Sequence, residues 1–449
     1  MKISRILLRS TIVAALGGLL FGFDTAVISG TTEALQNVFS LSSQSLGFTV
    51  ASALIGTIIG ALFAGQPADK YGRRTTLILI GVLYFISAVG SALAWNWYAF
   101  LIFRFIGGLA VGGASVVSPM YIAEIAPARM RGRLVAVQQF NIVLGILLAF
   151  FSNYIIAALD VQAAWRWMLL VEAFPAAAFF LLLFGNPRSP RWLVAQGKTS
   201  EAAEVLKMLG TDTGTIDEEI AAIQTSLNQE QYRIAEPFFS RAYAKPIMLA
   251  VMIALFNQLS GINALMYYAP HIFKMAGAGQ NAAFLQAVAV GSMNLIFTIL
   301  AMLIIDQFGR KKLMLAGSIG YILSLGTTAW AFYAYGTEFT PVGSRIVLIS
   351  LLVFIASHAF GQGAVIWVFI SEIFPNRLRA RGQALGSFTH WFMAAAVSWT
   401  FPLFAEASGG HTFAFYAGMM VLQLFWVIFF MPETKGIPLE DIQKELGIH

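Results

Sequence analysis

Asp69-Lys-Tyr-Gly-Arg-Arg74 follows one long apolar stretch of the chain, and Asp306-Gln-Phe-Gly-Arg-Lys311 follows another. A second motif repeats in the same way. Ala123-Glu-Ile-Ala-Pro127 is trailed by Arg129, Arg131 and Arg133, and Ser371-Glu-Ile-Phe-Pro375 is trailed by Arg377, Arg379 and Arg381. Each motif recurs at a shift of six apolar stretches. The sequence therefore reads as a parallel 6 + 6 duplication, an architecture that sets a substrate site at mid-membrane between two bundles that rock to expose it alternately.

The apolar stretches lie near 12–30, 46–66, 75–94, 98–121, 134–157 and 165–185, then near 245–269, 283–305, 312–334, 346–370, 384–405 and 412–431. Each approaches the ~20 residues a helix needs to cross the hydrocarbon. Composition agrees: of 449 residues 58% are hydrophobic and 11% charged, against roughly 25% charged in a soluble domain. Lipid must cover what charge does not. The first stretch lacks a small-residue cleavage site and carries an acid, so it reads as a retained span and not as a cleaved signal peptide.

Lys and Arg fix the orientation. With the N-terminus inside, 24 of the 28 fall in cytoplasmic segments, among them Lys2, Arg5, Arg9, Lys70, Lys435 and Lys444. Outside lie Arg166, Lys274 and Arg345, and Arg104 sits within a span. Both termini are expected in the cytoplasm, and the lipid bilayer is the first partner. The net charge of +6 has this topological origin; no basic run or reader motif points to nucleic acid. No cysteine is present, and His271, His358, His390, His411 and His449 show no ligand-spaced pair, so no metal or cofactor is expected.

Four segments follow from this pattern: an N-terminal six-helix bundle over 1–185, a cytoplasmic linker over 186–243, a C-terminal bundle over 244–431 and a cytoplasmic tail over 432–449. In the linker Thr199 or Ser200 is placed to cap a helix running to Leu209. Ile216, Ile220, Ile223 and Leu227 share one face of a second helix. That stripe needs a surface to cover, so the linker is expected to brace the bundles from the cytoplasmic side.

Asp24, Arg104 and Glu172 are ionisable residues within spans. Asp24 lies six residues from Gly30, Arg104 six from Tyr98 and Glu172 seven from Trp165. All three therefore sit roughly 9–10 Å below the outer surface. Opposite charges at one depth are expected to meet, either as a static ion pair that fixes packing or as part of an ion pathway. Polar amides inside spans are Gln138, Gln139, Asn141, Asn153, Asn257, Gln258, Asn263, Asn294 and Gln362. An amide can glue helices together; a cluster of them can equally match sugar hydroxyls, which both donate and accept.

The whole chain resembles the sugar porter family of the major facilitator superfamily. The residues that carry the resemblance include Gly18-Leu-Leu-Phe-Gly-Phe-Asp24, Asp69 to Arg74, Arg104 with Gly107 and Gly108, and Pro119-Met-Tyr-Ile-Ala-Glu124. Ser189-Pro-Arg-Trp-Leu193, Gln258-Leu-Ser-Gly-Ile-Asn263, Tyr267-Tyr-Ala-Pro270 and Pro432-Glu-Thr-Lys-Gly436 complete it. The Asp/Gly/Arg loop alone marks the superfamily; its combination with the Gln258 and Pro432 motifs is specific to sugar porters, which include proton–xylose and proton–glucose symporters and facilitative glucose carriers.

The resemblance implies a twelve-helix transporter in the cell membrane, not an enzyme, carrying a monosaccharide with a proton. Symporters of the family bear an acid at the position of Asp24, where facilitative carriers have a neutral residue. Asp24, Arg104 and Glu172 are thereby implied in proton coupling. Phe21, Gln139, Asn257, Gln258, Asn263, Asn294, Trp367, His390 and Trp391 are implied at the sugar, and Tyr267 and Tyr268 at an outer gate. Gly261 fits a break in the seventh span. Asp69, Arg73, Arg74, Glu124, Arg131, Arg310, Glu372, Arg379 and Glu433 are expected to make up an inner charge network, unless Arg73, Arg74, Arg310 and Lys311 simply obey the positive-inside rule. Three departures from the family pattern stand out: His390 in place of an amide, Asn257 in place of glutamine, and Arg188 in place of an acid. A facilitative uniporter is the alternative that Asp24 opposes. A sugar sensor is opposed by the short segment after the last span, and an ATP-driven pump by the lack of a G-x-x-x-x-G-K-[ST] loop.

Overall fold

Hydrocarbon offers backbone amides no water, so each apolar stretch must satisfy its own hydrogen bonds, and it does so as a helix. The computed structural model describes residues 4–127, 129–211, 215–231, 237–375, 378–437, 441–442, 444 and 446. Lys2, Arg377 and His449, with parts of the linker and tail, lie outside the described residues. Among the described residues, eleven helical stretches are long and apolar enough to span a membrane. They are Arg5–Gly30, Ser43–Phe63, Arg73–Leu93, Trp97–Ile125, Arg131–Ala158, Ala164–Leu183, Arg241–Met275, Gln280–Phe308, Arg310–Tyr335, Pro341–Ile373 and Gly409–Phe429.

The remaining expected stretch, 384–405, falls inside the 29-residue helix Arg379–Ala407. At about 1.5 Å per residue this helix exceeds the ~30 Å of hydrocarbon. Its apolarity is diluted by Gln383, Ser387, Thr389, His390, Ser398 and Thr400. With it the chain has twelve spans, numbered here in chain order, and each occupies a stretch expected from the sequence.

Packing divides the chain into two compact units. One comprises Met1–Asp24, Gly56–Gly145 and Leu169–Glu236; the other Thr25–Ile55, Ile146–Met168 and Pro237–His449. The divide passes through the first, second, fifth and sixth spans. Within the first unit, Leu20, Leu77, Ile80, Tyr84, Ala114, Tyr121 and Phe179 form the buried core. Helices approach most closely where side chains are smallest. A Cβ on Gly112 of the fourth span would lie 2.2 Å from the carbonyl oxygen of Thr57 and 2.5 Å from the amide nitrogen of Ala61 on the second. Gly112→Val is therefore expected to destabilise the protein by about 2 kcal/mol or more through overpacking. The check is a lower melting temperature in detergent; an unchanged one would refute this contact.

Among its described residues the linker forms the α-helices Pro190–Ala195, Thr199–Leu209 and Ile216–Gln231. Ser189 caps the first, accepting from the Trp192 amide at 3.1 Å, with Pro190 in the first turn. The cap expected at Thr199 or Ser200 is absent. Thr199 is already helical, and Lys198 takes the cap position without a side-chain bond. The apolar stripe finds its surface: Ile220, Ile223 and Leu227 pack on Trp192, Leu193, Val194 and Ala202. Leu209 joins the core of the first unit, so the linker docks there.

Candidate transport site

Asp24 and Arg104 meet inside the first unit. The guanidinium grips the carboxylate with both arms, Nη1 to Oδ1 at 2.6 Å and Nη2 to Oδ2 at 3.3 Å. They are only 3% and 1% exposed, so the pair is fully desolvated. Removing one partner from such a pair leaves a costly uncompensated charge. Glu172 is as buried, at 2% exposure, and its Oε1 makes no hydrogen bond. It interacts electrostatically with both Asp24 and Arg104. Glu172 stands at a break between Ala164–Leu170 and Ala173–Leu183. Pro175 has no amide hydrogen to give the Val171 carbonyl, which accepts instead from Phe174 at 3.2 Å, and the turn tightens at Glu172.

The polar residues of the seventh and eleventh spans meet in the second unit. Gln258 is wholly buried. Its Nε2 donates to Asn257 Oδ1 at 2.9 Å and lies 3.2 Å from His390 Nδ1, while its Oε1 accepts from Asn263 Nδ2 at 2.8 Å. Around His390 stand two indoles, Trp367 at 5.2 Å and Trp391 at 4.9 Å between ring centroids. The seventh span breaks between Ala244–Leu259 and Ile262–Met275. Gly261 takes φ +83 at the break, a conformation that side chains resist. That break lets Asn263 turn back onto Gln258. The result is a patch of amides beside aromatic faces, a surface suited to a ring with hydroxyl edges and an apolar face.

The remaining candidates are distributed over both units. Asn294 of the eighth span is buried, and its Oδ1 accepts from Thr298 at 3.5 Å. Phe21 and Gln139 belong to the first unit and are half-buried. Tyr267 and Tyr268 are buried in the seventh span; Tyr268 has non-helical φ −130 and ψ 18, and its hydroxyl donates to the Ser398 carbonyl at 2.9 Å. Two further amides serve as helix glue. Asn153 donates to the Val27 carbonyl at 3.0 Å, and Gln362 donates to Gln423.

At the two Asp/Gly/Arg loops, one arrangement occurs twice. Arg73 pairs with Asp69 and Glu124, both at 2.9 Å. Arg310 pairs with Asp306 at 3.2 Å and Glu372 at 2.8 Å. Ser189 donates to Glu124 at 2.5 Å. Glu433 does not take a guanidinium: its carboxylate accepts from the backbone amides of Arg310 at 2.9 Å and Lys311 at 3.1 Å, capping the ninth span. Arg74 donates to the carbonyls of Leu183 and Phe184, and Arg131 to that of Ala123. Arg379 begins the eleventh span. Arg188 reaches Glu201 at 3.8 Å, where both side chains are about half exposed.

Sequence reasoning missed three features. One is Tyr84, wholly buried, with a hydroxyl that makes no hydrogen bond and feels the charges of Asp24 and Glu172. Another is a break at Gly361 in the tenth span, between Pro341–Phe360 and Gln362–Ile373. A polar network holds it: the Tyr321 hydroxyl lies 2.7 Å from His358 Nδ1 and donates to Gln362 Oε1 at 3.0 Å, and Gln423 donates to Ser318 at 2.8 Å. The lone amide Gln423 in an apolar span was the available signal. The third is a pair of polar ties, Lys274 to Glu33 and Ser43 to Glu406.

The family model for sugar (and other) transporters matches residues 10–446. The chain belongs to this family. This sugar-transporter family member is 40% identical to the D-xylose-proton symporter of Escherichia coli K12, over 96% of its own length and 94% of the relative's. It is 38% identical to the arabinose-proton symporter of Bacillus subtilis 168, over 96% and 93%. Among solved structures, the xylose transporter XylE from E. coli in a partially occluded inward-open conformation matches with TM-score 0.85 and 39% identity. That match covers 97% of the family member and 100% of XylE. The fold is that of a multi-pass major facilitator transporter.

Proposed function

We propose that this chain is a proton-coupled symporter of a pentose or hexose, resident in the plasma or inner membrane with both termini in the cytoplasm. The observation that carries the reading is the desolvated Asp24–Arg104 pair, in a chain whose relatives include a D-xylose-proton and an arabinose-proton symporter. Protonation of Asp24 cancels the charge that Arg104 grips. The guanidinium is then drawn to Glu172, whose Oε1 lacks a partner. Gln258, Asn257, Asn263 and His390 supply donors and acceptors to the sugar, Trp367 and Trp391 supply flat faces, and Phe21, Gln139 and Asn294 complete the site. The bundles over 1–185 and 244–431 rock about it. Tyr267 and Tyr268 close the outer side, and the Arg73 and Arg310 networks lock the inner one. The driving force suffices: about 100 mV supplies roughly 2.3 kcal/mol per proton, and tenfold accumulation costs about 1.4 kcal/mol.

The test is uptake by reconstituted vesicles, challenged with a panel of competing sugars, with and without an imposed pH gradient. Accumulation of a pentose or hexose above its outside concentration is expected only with the gradient. Equilibration without accumulation in both conditions would make the protein a uniporter. In the same assay His390→Gln is expected to reorder the competing sugars, because an amide presents more hydrogen-bonding positions than an imidazole. An identical order would make His390 a packing residue.

A further inference from the structure

The third span presents a column of hydroxyls to the coupling charges. Tyr84, Ser87 and Ser91 are spaced three and four residues apart and so share one helix face. All are at most 2% exposed. Counted from the end of the span at Leu93, Ser91 lies about 3 Å in, Ser87 about 9 Å and Tyr84 about 14 Å. Ser87 is thus level with Asp24. The fourth span leaves a notch for it: at Gly107, an added Cβ would lie 2.4 Å from Ser87 Oγ and 3.5 Å from Asp24 Oδ1. The glycine lets the hydroxyl and the carboxylate share one spot.

Many span hydroxyls back-bond within their own helix, as Ser115 does to Gly112, Ser152 to Ala149, Ser292 to Val288, Ser318 to Met314 and Thr328 to Ser324. Ser91 Oγ and Tyr84 OH bond no atom of the described residues, as is true of Ser10, Thr11, Ser118 and Ser398 in other spans. These two, however, lie on the face that meets the coupling charges, where Glu172 Oε1 also has no partner. A buried hydroxyl without a partner costs about 1–3 kcal/mol, and lipid cannot supply one. Water can, and so can a proton in transit. Tyr84 feels the charges of Asp24 on the first span and Glu172 on the sixth, and Arg104 on the fourth holds Asp24.

We propose that Ser91, Ser87 and Tyr84 form a proton-entry ladder that conducts a proton from the outer end of the third span to the Asp24 carboxylate. Ser91 and Ser87 lead in to its depth, and Tyr84 holds the column from below. The proton enters as hydronium at Ser91. Each serine hydroxyl, or the water bonded to it, accepts one proton and passes on its own, and the last transfer forms the O–H bond on Asp24. No hydroxyl changes its net protonation. The ladder rests on reading Asp24 as the proton carrier.

Tyr84→Phe, Ser91→Ala and Ser91→Thr test it in reconstituted vesicles, with Asp24→Asn run alongside. Initial rates of pH-gradient-driven uptake are expected to fall roughly tenfold in Tyr84→Phe and Ser91→Ala, the rate equivalent of about one lost hydrogen bond. Sugar-for-sugar exchange and sugar affinity should stay at the wild-type level, and Ser91→Thr should recover driven uptake. Wild-type driven uptake in both hydroxyl-deleted variants, beside an uncoupled Asp24→Asn, overturns the ladder alone. Exchange that slows as much as driven uptake also overturns it, since the hydroxyls would then be structural. Sugar accumulation by Asp24→Asn defeats the carrier assignment itself, and the ladder with it.

Discussion

Asp24→Asn vesicles are expected to bind sugar and exchange it across the membrane, yet fail to concentrate it under a pH gradient. Asparagine keeps the size of the acid and imitates its protonated form permanently. The Arg104 guanidinium, which now holds the carboxylate at 2.6 Å, loses its counter-charge and leans on Glu172. No step remains that distinguishes a loaded proton from an absent one. Concentrated uptake collapses to equilibration, a complete loss of the part of the sugar gradient that the proton supplied. Arg104 is desolvated, so the substitution also removes part of a buried ion pair, and melting in detergent should fall. Glu172→Gln should weaken coupling without abolishing it. Asp24→Asn vesicles that still accumulate sugar would transfer the coupling role to Glu172.

Gln258→Ala is expected to weaken sugar binding by two orders of magnitude or more, about 3 kcal/mol. Its amide joins Asn257, Asn263 and His390 through three contacts of 2.9, 2.8 and 3.2 Å. Truncation removes the hub and leaves two amides and an imidazole to turn away. Each polar group left unpaired adds about 1–3 kcal/mol of cost. Trp367→Ala should act in the same direction by removing an aromatic face beside His390. Calorimetric titration of the purified variants decides the matter. Wild-type affinity in both, with monodisperse protein, would move the sugar site elsewhere.

Much of this was legible from residue order because a membrane permits so few solutions. Twelve apolar stretches had to become helices, and each did. The Asp/Gly/Arg loop and the Glu/Pro motif, each occurring twice, marked the duplication, whose two copies fold into matching ion-pair clusters around Arg73 and Arg310. Depth counting put Asp24 and Arg104 at one level, and Gly261 marked the break that brings Asn263 onto Gln258. What stayed hidden depends on direction within a helix. Nothing in the spacing of Gln362 separated a sugar ligand from a helix tie; its contact with Gln423 is set by the rotation of the tenth span at Gly361. Tyr84 carries no charge to flag it, and only the neighbouring Asp24 and Glu172 set it apart. Glu433 carries a charge that invited an arginine, whereas its geometry serves backbone amides.

That last residue bears on how the protein can be handled. Glu433 closes the start of the ninth span by holding the amides of Arg310 and Lys311, and its neighbour Thr434 donates to Glu372 at 2.6 Å. The segment just past the final helix is thus stitched to the middle of the chain. A fluorescent fusion or affinity tag joined directly after Met431 would unpick those stitches and loosen the Arg310–Glu372 pair. A junction placed beyond Ile437 would keep them, so the usable boundary for engineering lies several residues beyond the end of the twelfth span.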